Sequence, residues 1–189
     1  QKIKRIVRNS KVVFKYCFAH NMMPYLQRKY GFPVICINRH PAQIAASRKK
    51  YGNFLNAQTL IVSNALSKNS LELFQTHRSQ MKSVIQTNIG VFTWRYCLNQ
   101  LSILNLDTEQ SLIVEFDDLL ENPNTLTDTI QSFLDIKLNA SILHRNSKTT
   151  IGPRSAKLRQ EGWKKTLTTE EISEMDTICN EVFKLNIEF

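Results

Sequence analysis

Acidic residues are absent from the first 71 positions of this 189-residue chain, and the first carboxylate is Glu72. Other shortages narrow the classes it can belong to. Only 5 Gly and 5 Pro argue against a collagen-like or loop-dominated scaffold. No apolar run reaches the about 18 residues of a membrane-spanning helix, so no membrane span is expected. The basic start, Gln1 to Arg5, has no apolar stretch or small-residue cleavage site behind it and does not read as a secretory signal. An initiator Met is missing, and a fragment or processed product is the expectation. The four cysteines, at 17, 36, 97 and 179, form no CxxC pair and have no accompanying His cluster. That argues against zinc and predicts reduced, buried thiols in a cytoplasmic setting. No Gly-x-x-x-x-Gly-Lys-Ser/Thr run occurs, which disfavours a P-loop nucleotide hydrolase.

The residues that are present describe a folded chain. Apolar residues make up 42% and charged residues 22%, a globular balance, and the length suits a single domain over residues 1–189. Of 25 Lys and Arg, thirteen precede Glu72, and the rest of the chain carries twelve against all 16 acids. Most charge runs are solvated faces. Here the acid-free half includes two predicted buried strands, so its positive field is not cancelled locally. An anionic ligand is therefore expected in that half: a nucleotide, a nucleic acid, or a sulfated or phosphorylated substrate.

Local patterns alternate between strand and helix. Lys11 to Tyr16 (KVVFKY) is β-branched and aromatic, a predicted strand, and Met22 to Tyr30 a short helix with Gly31 past its end. Val34 to Asn38 (VICIN) is continuously apolar before Asn38, as suits a strand buried on both faces of a parallel sheet. Pro41 opens a helix to Tyr51, since proline is tolerated at the first helical position. Two helical stretches fill Asn56 to Asp107, the second around Phe92 to Leu104, with Trp94 in the core. Ser111 to Phe116 (SLIVEF) is a third strand and Asn124 to Leu134 a helix; Asp117 and Asp118 cap the turn between them. Thr168 and Glu171 fit a capping box that starts a last helix, with Ile172, Met175, Cys179 and Val182 on one face. The expected fold is α/β, a mostly parallel sheet flanked by helices.

The most informative segment is Val34 to Gly52, VICINRHPAQIAASRKKYG. Its strand delivers Arg39 to the carboxyl end of a parallel sheet, where ligands bind in such folds. A guanidinium there can grip a phosphate through two parallel bonds, or pair with a structural carboxylate. Ser47 lies about two helical turns further on. A strand followed by Arg-x-Pro-x-x-x-Ala-x-Ser resembles the 3′-phosphate-binding motif of sulfotransferases that use 3′-phosphoadenosine-5′-phosphosulfate (PAPS). Two further segments share the likeness. LIVEFDDLLENP, Leu112 to Pro123, is similar to the family's strand, Tyr-Glu-Asp-Leu and downstream Pro. Near the C-terminus a basic loop precedes Trp163-Lys164 and a Leu-Thr-x-Glu-Glu helix start, as in the family. The resemblance covers about residues 11 to 189.

The resemblance implies a sulfotransferase (P-loop NTPase-like) fold, PAPS as co-substrate, adenosine 3′,5′-bisphosphate (PAP) as product and no metal. It implies that Arg39 and Ser47 contact the 3′-phosphate and that Phe116, in place of the family's Tyr, packs against adenine. Arg154, Lys157 and Arg159 stand in for the family's Arg-Lys-Gly contact to the same phosphate. The family's Lys-Thr-His is represented by Lys15, Tyr16 and Cys17. Lys15 keeps the charge that would stabilise the transferring group, and a poor base sits at Cys17. His20 then becomes the nearest candidate base, with a surface or packing histidine as the competing reading. No Pro-Lys-Ser-Gly-Thr-Thr-like loop occurs, so an N-terminal strand and phosphosulfate loop are expected to be missing from the chain. Two functions remain open on these residues. One is sulfuryl transfer to an acceptor hydroxyl or amine of unknown class, its choice shaped by Asn53 to Gly90. The other is a catalytically inactive module of the same fold that binds nucleotide, RNA or another polyanion. Specific nucleic-acid binding is not expected, because no aromatic-interleaved basic strand is present.

Overall fold

A computed structural model describes residues 15, 20–50, 52, 84–137 and 161–189. Apart from Lys15, the expected strand at Lys11 to Tyr16 lies outside the described residues, as do Cys17, positions 56–83 of the helical stretches expected from Asn56, and Arg154, Lys157 and Arg159. Within them the chain is mixed α/β, built around a two-stranded parallel sheet. A one-turn 3-10 helix, His20–Met22, leads into α1 (Met23–Tyr30). Strand β1 (Val34–Asn38) is followed by α2 (Pro41–Lys50), and α3 (Asn88–Ile103) precedes β2 (Ser111–Glu115). Helix α4 (Phe116–Glu121) and α5 (Pro123–Leu134) follow. A 3-10 turn at Gly162–Lys165, α6 (Thr169–Asp176) and a π-helical segment Thr177–Val182 complete the order.

The element boundaries have local causes. Gly31 closes α1 in the left-handed conformation, φ 62°, and returns its N–H to Gln27 O at 2.7 Å. Pro41 sits at the start of α2, where its missing N–H costs nothing. Thr168 and Glu171 form the expected capping box, and Glu171 also accepts from Lys49 Nζ at 2.7 and 2.8 Å, tying α6 to the end of α2.

Strands β1 and β2 run in register from Val34↔Ser111 to Asn38↔Glu115, which puts both carboxyl ends on one edge. Gln27, 2% exposed, secures the amino end. Its Nε2 donates to Gln110 O and Ser111 Oγ, and its Oε1 accepts from Asp107 N.

Three expectations need correction. The VICIN strand is not buried throughout: Val34 is covered, but Ile37 is 62% exposed, as is Ile113 at 50%. Burial on both faces needs cover from neighbours, and among the described residues β1 pairs only with β2. The second strand ends at Glu115, and Phe116 begins a helix instead of ending a strand. The last helix does not stay α-helical to Val182: from Thr177 it widens, so that Phe183 N reaches Ile178 O at 3.1 Å and Leu185 N reaches Cys179 O at 3.0 Å.

The core lies between α2, α3 and the C-terminal elements. Ala42, Ala45 and Ala46 give α2 a small-residue surface that lets its backbone approach closely. Ile89, Phe92, Trp94, Cys97 and Leu98 of α3 meet Met175, Ile178, Cys179 and Phe183. Trp94 and Phe183 pack edge to face at 4.8 Å. Burial of a side chain such as Ile178 or Met175 contributes about 1.5–3 kcal/mol.

Candidate functional site

Beyond the paired strand ends the chain forms a cavity of about 360 Å³. Its wall combines the end of β1 (Asn38, Arg39, His40) with the start of α4 (Phe116, Asp117, Asp118), and Tyr96 and Ile187 complete it with Glu115 and Pro41. Parallel pairing dictates this place, since both chains leave the sheet at the same edge and turn into helices. Asn38 braces the edge: its Nδ2 donates to Glu115 Oε1 at 2.8 Å, and its Oδ1 accepts from Gln100 Nε2 at 2.9 Å. Burial, with Cys179, Cys97 and Glu115 nearby, raises the Tyr96 phenol well above its ordinary pKa, so it stays protonated.

Arg39 is held from two directions. Its guanidinium lies over the Phe116 ring, 4.6 Å from the centroid, and its Nε donates to Gln43 Oε1 at 2.9 Å. Gln43 passes the interaction on, donating through Nε2 to Asp117 Oδ2 at 3.1 Å. Asp117 is therefore a partner of α2. The turn-capping role expected for it and Asp118 is not made, because no side chain caps the start of α4. The other oxygen, Asp117 Oδ1, is buried without a hydrogen-bond partner among the described residues.

His40 joins this corner to the C-terminal tail. Its Nδ1 accepts from Ala42 N at 3.2 Å, capping α2, so the ring proton belongs on Nε2, which donates to Glu188 O at 2.7 Å. The ring stacks on Trp163 (5.5 Å, 16°) and meets Phe189 edge-on at 5.2 Å. Asn180 fixes the tail from the other side. Its Nδ2 donates to Ile187 O at 2.6 Å and to Asp176 Oδ1 at 2.7 Å, while its Oδ1 accepts from Ile187 N at 2.7 Å.

Asn180→Ala is expected to free the tail, with a loss of about 1–3 kcal/mol from unpaired backbone groups. Amide exchange at Ile187 checks this, and unchanged protection in the variant would count against the clamp.

The sequence-predicted residues are distributed unevenly. Arg39 and Phe116 line the same cavity, and Trp163 of the third segment stacks on His40 beside it. One face of Phe116 carries the Arg39 guanidinium. Ser47 is half-buried on α2, roughly 9 Å along the axis from Pro41 at ~1.5 Å per residue, and is not part of the cavity wall. Lys15 is exposed, and neither it nor His20 lines the cavity. His20 is half-buried beside α3, where desolvation, with help from Arg95, lowers its pKa below 6.5. Its Nδ1 has no hydrogen-bond partner among the described residues. Gln43, Asn38 and Asn180 were not foreseen. Gln43 alone left a signal, four residues after Arg39, the spacing at which helical side chains meet.

The lowered His20 pKa has a pH consequence. The folded state favours the neutral ring, so this contribution to stability is complete above about pH 6.5 and falls as pH drops through the folded-state value. Denaturant unfolding at pH 7.5 and 5.5 should show a smaller acid loss for His20→Gln than for the parent chain. Equal losses would mean that His20 titrates normally.

No family model, curated protein or solved structure matches the chain. Among the described residues no cluster of three His, Cys, Asp or Glu side chains could hold a metal ion, and no helix is long and apolar enough to cross a membrane.

Proposed function

We propose that the chain is a PAPS-dependent sulfotransferase, carried on a mostly parallel sheet flanked by helices, whose sheet edge binds the nucleotide. The observation that carries this reading is the meeting of two distant segments at one cavity, with the third packed behind its wall. Arg39 comes from the Arg-x-Pro segment, Phe116 from the second, and Trp163 of the third packs on His40. A fixed guanidinium offers a fork for a phosphate, and the neighbouring aromatic a surface for a base. The cavity lies within the range of small-molecule sites, about 300–1,000 Å³.

In the proposed reaction the acceptor oxygen or nitrogen forms a bond to sulfur as the bridging S–O bond to the 5′-phosphate breaks. PAP leaves with the bridging oxygen, and the acceptor proton passes to a base. Lys15 would stabilise the developing charge. His20 is the candidate base, and burial holds it in the neutral form that base catalysis requires. Ser47, Arg154, Lys157 and Arg159 are the further candidates for the 3′-phosphate.

Titration with PAP under thermal unfolding tests the reading. Binding confined to the folded state adds about 2.7 kcal/mol at a hundredfold excess over Kd. A folded chain whose unfolding temperature does not move with PAP would overturn it.

The inactive-module reading draws on one observation, that Lys15 and His20 stand outside the cavity wall. Glu115, Asp117 and Asp118 accompany Arg39 in that wall, and their charge opposes a non-specific polyanion and a nucleotide phosphate alike. A non-specific polyanion surface carries one sign of charge. PAP formation from PAPS only when an acceptor is present distinguishes the enzyme from the inactive module.

A further inference from the structure

We propose that Cys97 and Cys179 are a site of disulfide formation, a bond that staples α3 to the C-terminal segment when the chain folds with a thiol oxidant present. The inference is independent of the nucleotide reading of the cavity. Both side chains are fully buried free thiols, and their sulfurs stand 3.6 Å apart. Cys97 belongs to α3 and Cys179 to the π-helical segment Thr177–Val182, 82 residues further along the chain. Among the described residues Cys36, half-buried on β1, has no thiol partner.

The geometry is close to that of a bonded pair. Bonded sulfurs are about 2.05 Å apart, so roughly 1.5 Å remains to be closed. Each sulfur swings about its own Cα–Cβ bond, and the closure is shared between two side-chain rotations. Cys179 also sits where the helix departs from regular winding, and such departures are frequent at functional sites.

The oxidant is a small-molecule disulfide such as oxidised glutathione. One protein thiolate attacks it, forming a mixed disulfide and releasing one glutathione thiol. The second protein thiol then displaces the other glutathione. The cysteine pair loses two electrons and two protons, and both appear on the two glutathione thiols.

Burial sets the timing. In the folded chain desolvation, then the bond to Cys179, raises the Cys97 pKa, which makes it a poor attacking thiolate. Oxidation therefore belongs to folding, before the core closes. The same burial then keeps reductants from the finished bond. The staple also acts on the cavity. Tyr96, next to Cys97, and Ile187, beyond Cys179 on the tail, both lie on its wall.

The test refolds the denatured, reduced 189-residue chain in a buffer of reduced and oxidised glutathione. Mass spectrometry should find one intramolecular bond, and peptide mapping should join Cys97 to Cys179. Relative to the reduced chain, closing a loop of this length should shift the unfolding equilibrium toward the folded state by about a hundredfold to a thousandfold. Folded, reduced chain in the same buffer should oxidise much more slowly, and equal rates would overturn the assignment to folding. If the chain does not refold from denaturant, cell-free synthesis in the same buffer supplies the material. Retention of both thiols, glutathione left on either one, or a bond to Cys17 or Cys36 overturns the inference. So does a Cys97–Cys179 bond that lowers stability.

Discussion

Replacing Arg39 with alanine should abolish most of the chain's preference for PAP over adenosine 5′-monophosphate while leaving it folded. Two charge-assisted bonds to a phosphate are worth about 1.5–3 kcal/mol each, so a loss of at least a hundredfold in PAP affinity is expected. The cost to the fold is smaller. Arg39 is half-buried; its stacking on Phe116 is worth about 0.5–1 kcal/mol, and loss of its bond to the buried Gln43 amide costs about 1–3 kcal/mol more. Arg39→Lys should fall between, because it keeps a charge near the cavity but loses the planar fork and the Nε bond to Gln43. Isothermal titration with both nucleotides reads the effect. Equal affinity for PAP in the alanine variant and the parent would remove the phosphate from this corner of the molecule.

The largest expected effect on stability is at Gly90, far along the sequence from that cavity. A Cβ added there falls on Glu174 Oε1 and lies 2.7 Å from Glu174 Cδ. The carboxylate cannot step aside freely, because it accepts from Gln86 N at 2.6 Å, Thr87 N at 3.1 Å and Thr87 Oγ1 at 2.6 Å. Thr87 in turn caps α3, its Oγ1 accepting from Ile89 N and Gly90 N at 3.1 Å each.

Gly90→Ala is therefore expected to cost about 2–4 kcal/mol, from several broken bonds to a charged group less the roughly 1 kcal/mol that alanine gains over glycine in a helix. The sign should reverse when the obstacle is removed. In a Glu174→Ala background, Gly90→Ala should be neutral or stabilising by up to ~1 kcal/mol. A double-mutant cycle by denaturant unfolding measures this coupling. Additive effects would show that the two positions do not touch.

Much of the described structure was legible because its causes are local. VICIN reads as a strand from its β-branched run, Pro41 marks the next helix, Gly31 ends α1, and Thr168 with Glu171 announces α6. Each signal lies within a few residues of what it governs. The errors share a feature as well. Ile37 is exposed because apolar character states only what a strand can bury, and cover must come from another segment. The π-helical turn at Thr177–Val182 escaped notice because Met175, Cys179 and Val182 keep a helical spacing whichever way the backbone widens.

The candidate site divides in the same way. Arg39 could be placed from sequence because the end of a parallel strand is a predictable location, and Phe116 because its segment resembles a known pattern. Their mutual contact could not. Arg39 meets Phe116 because two strands pair in one register, and Gln43 reaches Asp117 across 74 residues for the same reason. His40 binds the tail at Glu188 across 148 residues.

By itself the sequence determined that β1, α1, α2 and α6 form, how α1 ends and α6 is capped, and which side chain stands at the end of β1. Hydrogen bonding and periodicity between near neighbours suffice for that. Only the tertiary structure decided which partners hold Arg39, that Ser47 and His20 lie off the cavity wall, and that Glu174 fills the space above Gly90. Such contacts depend on the register and packing of elements far apart in the chain, and no short stretch of residues encodes them.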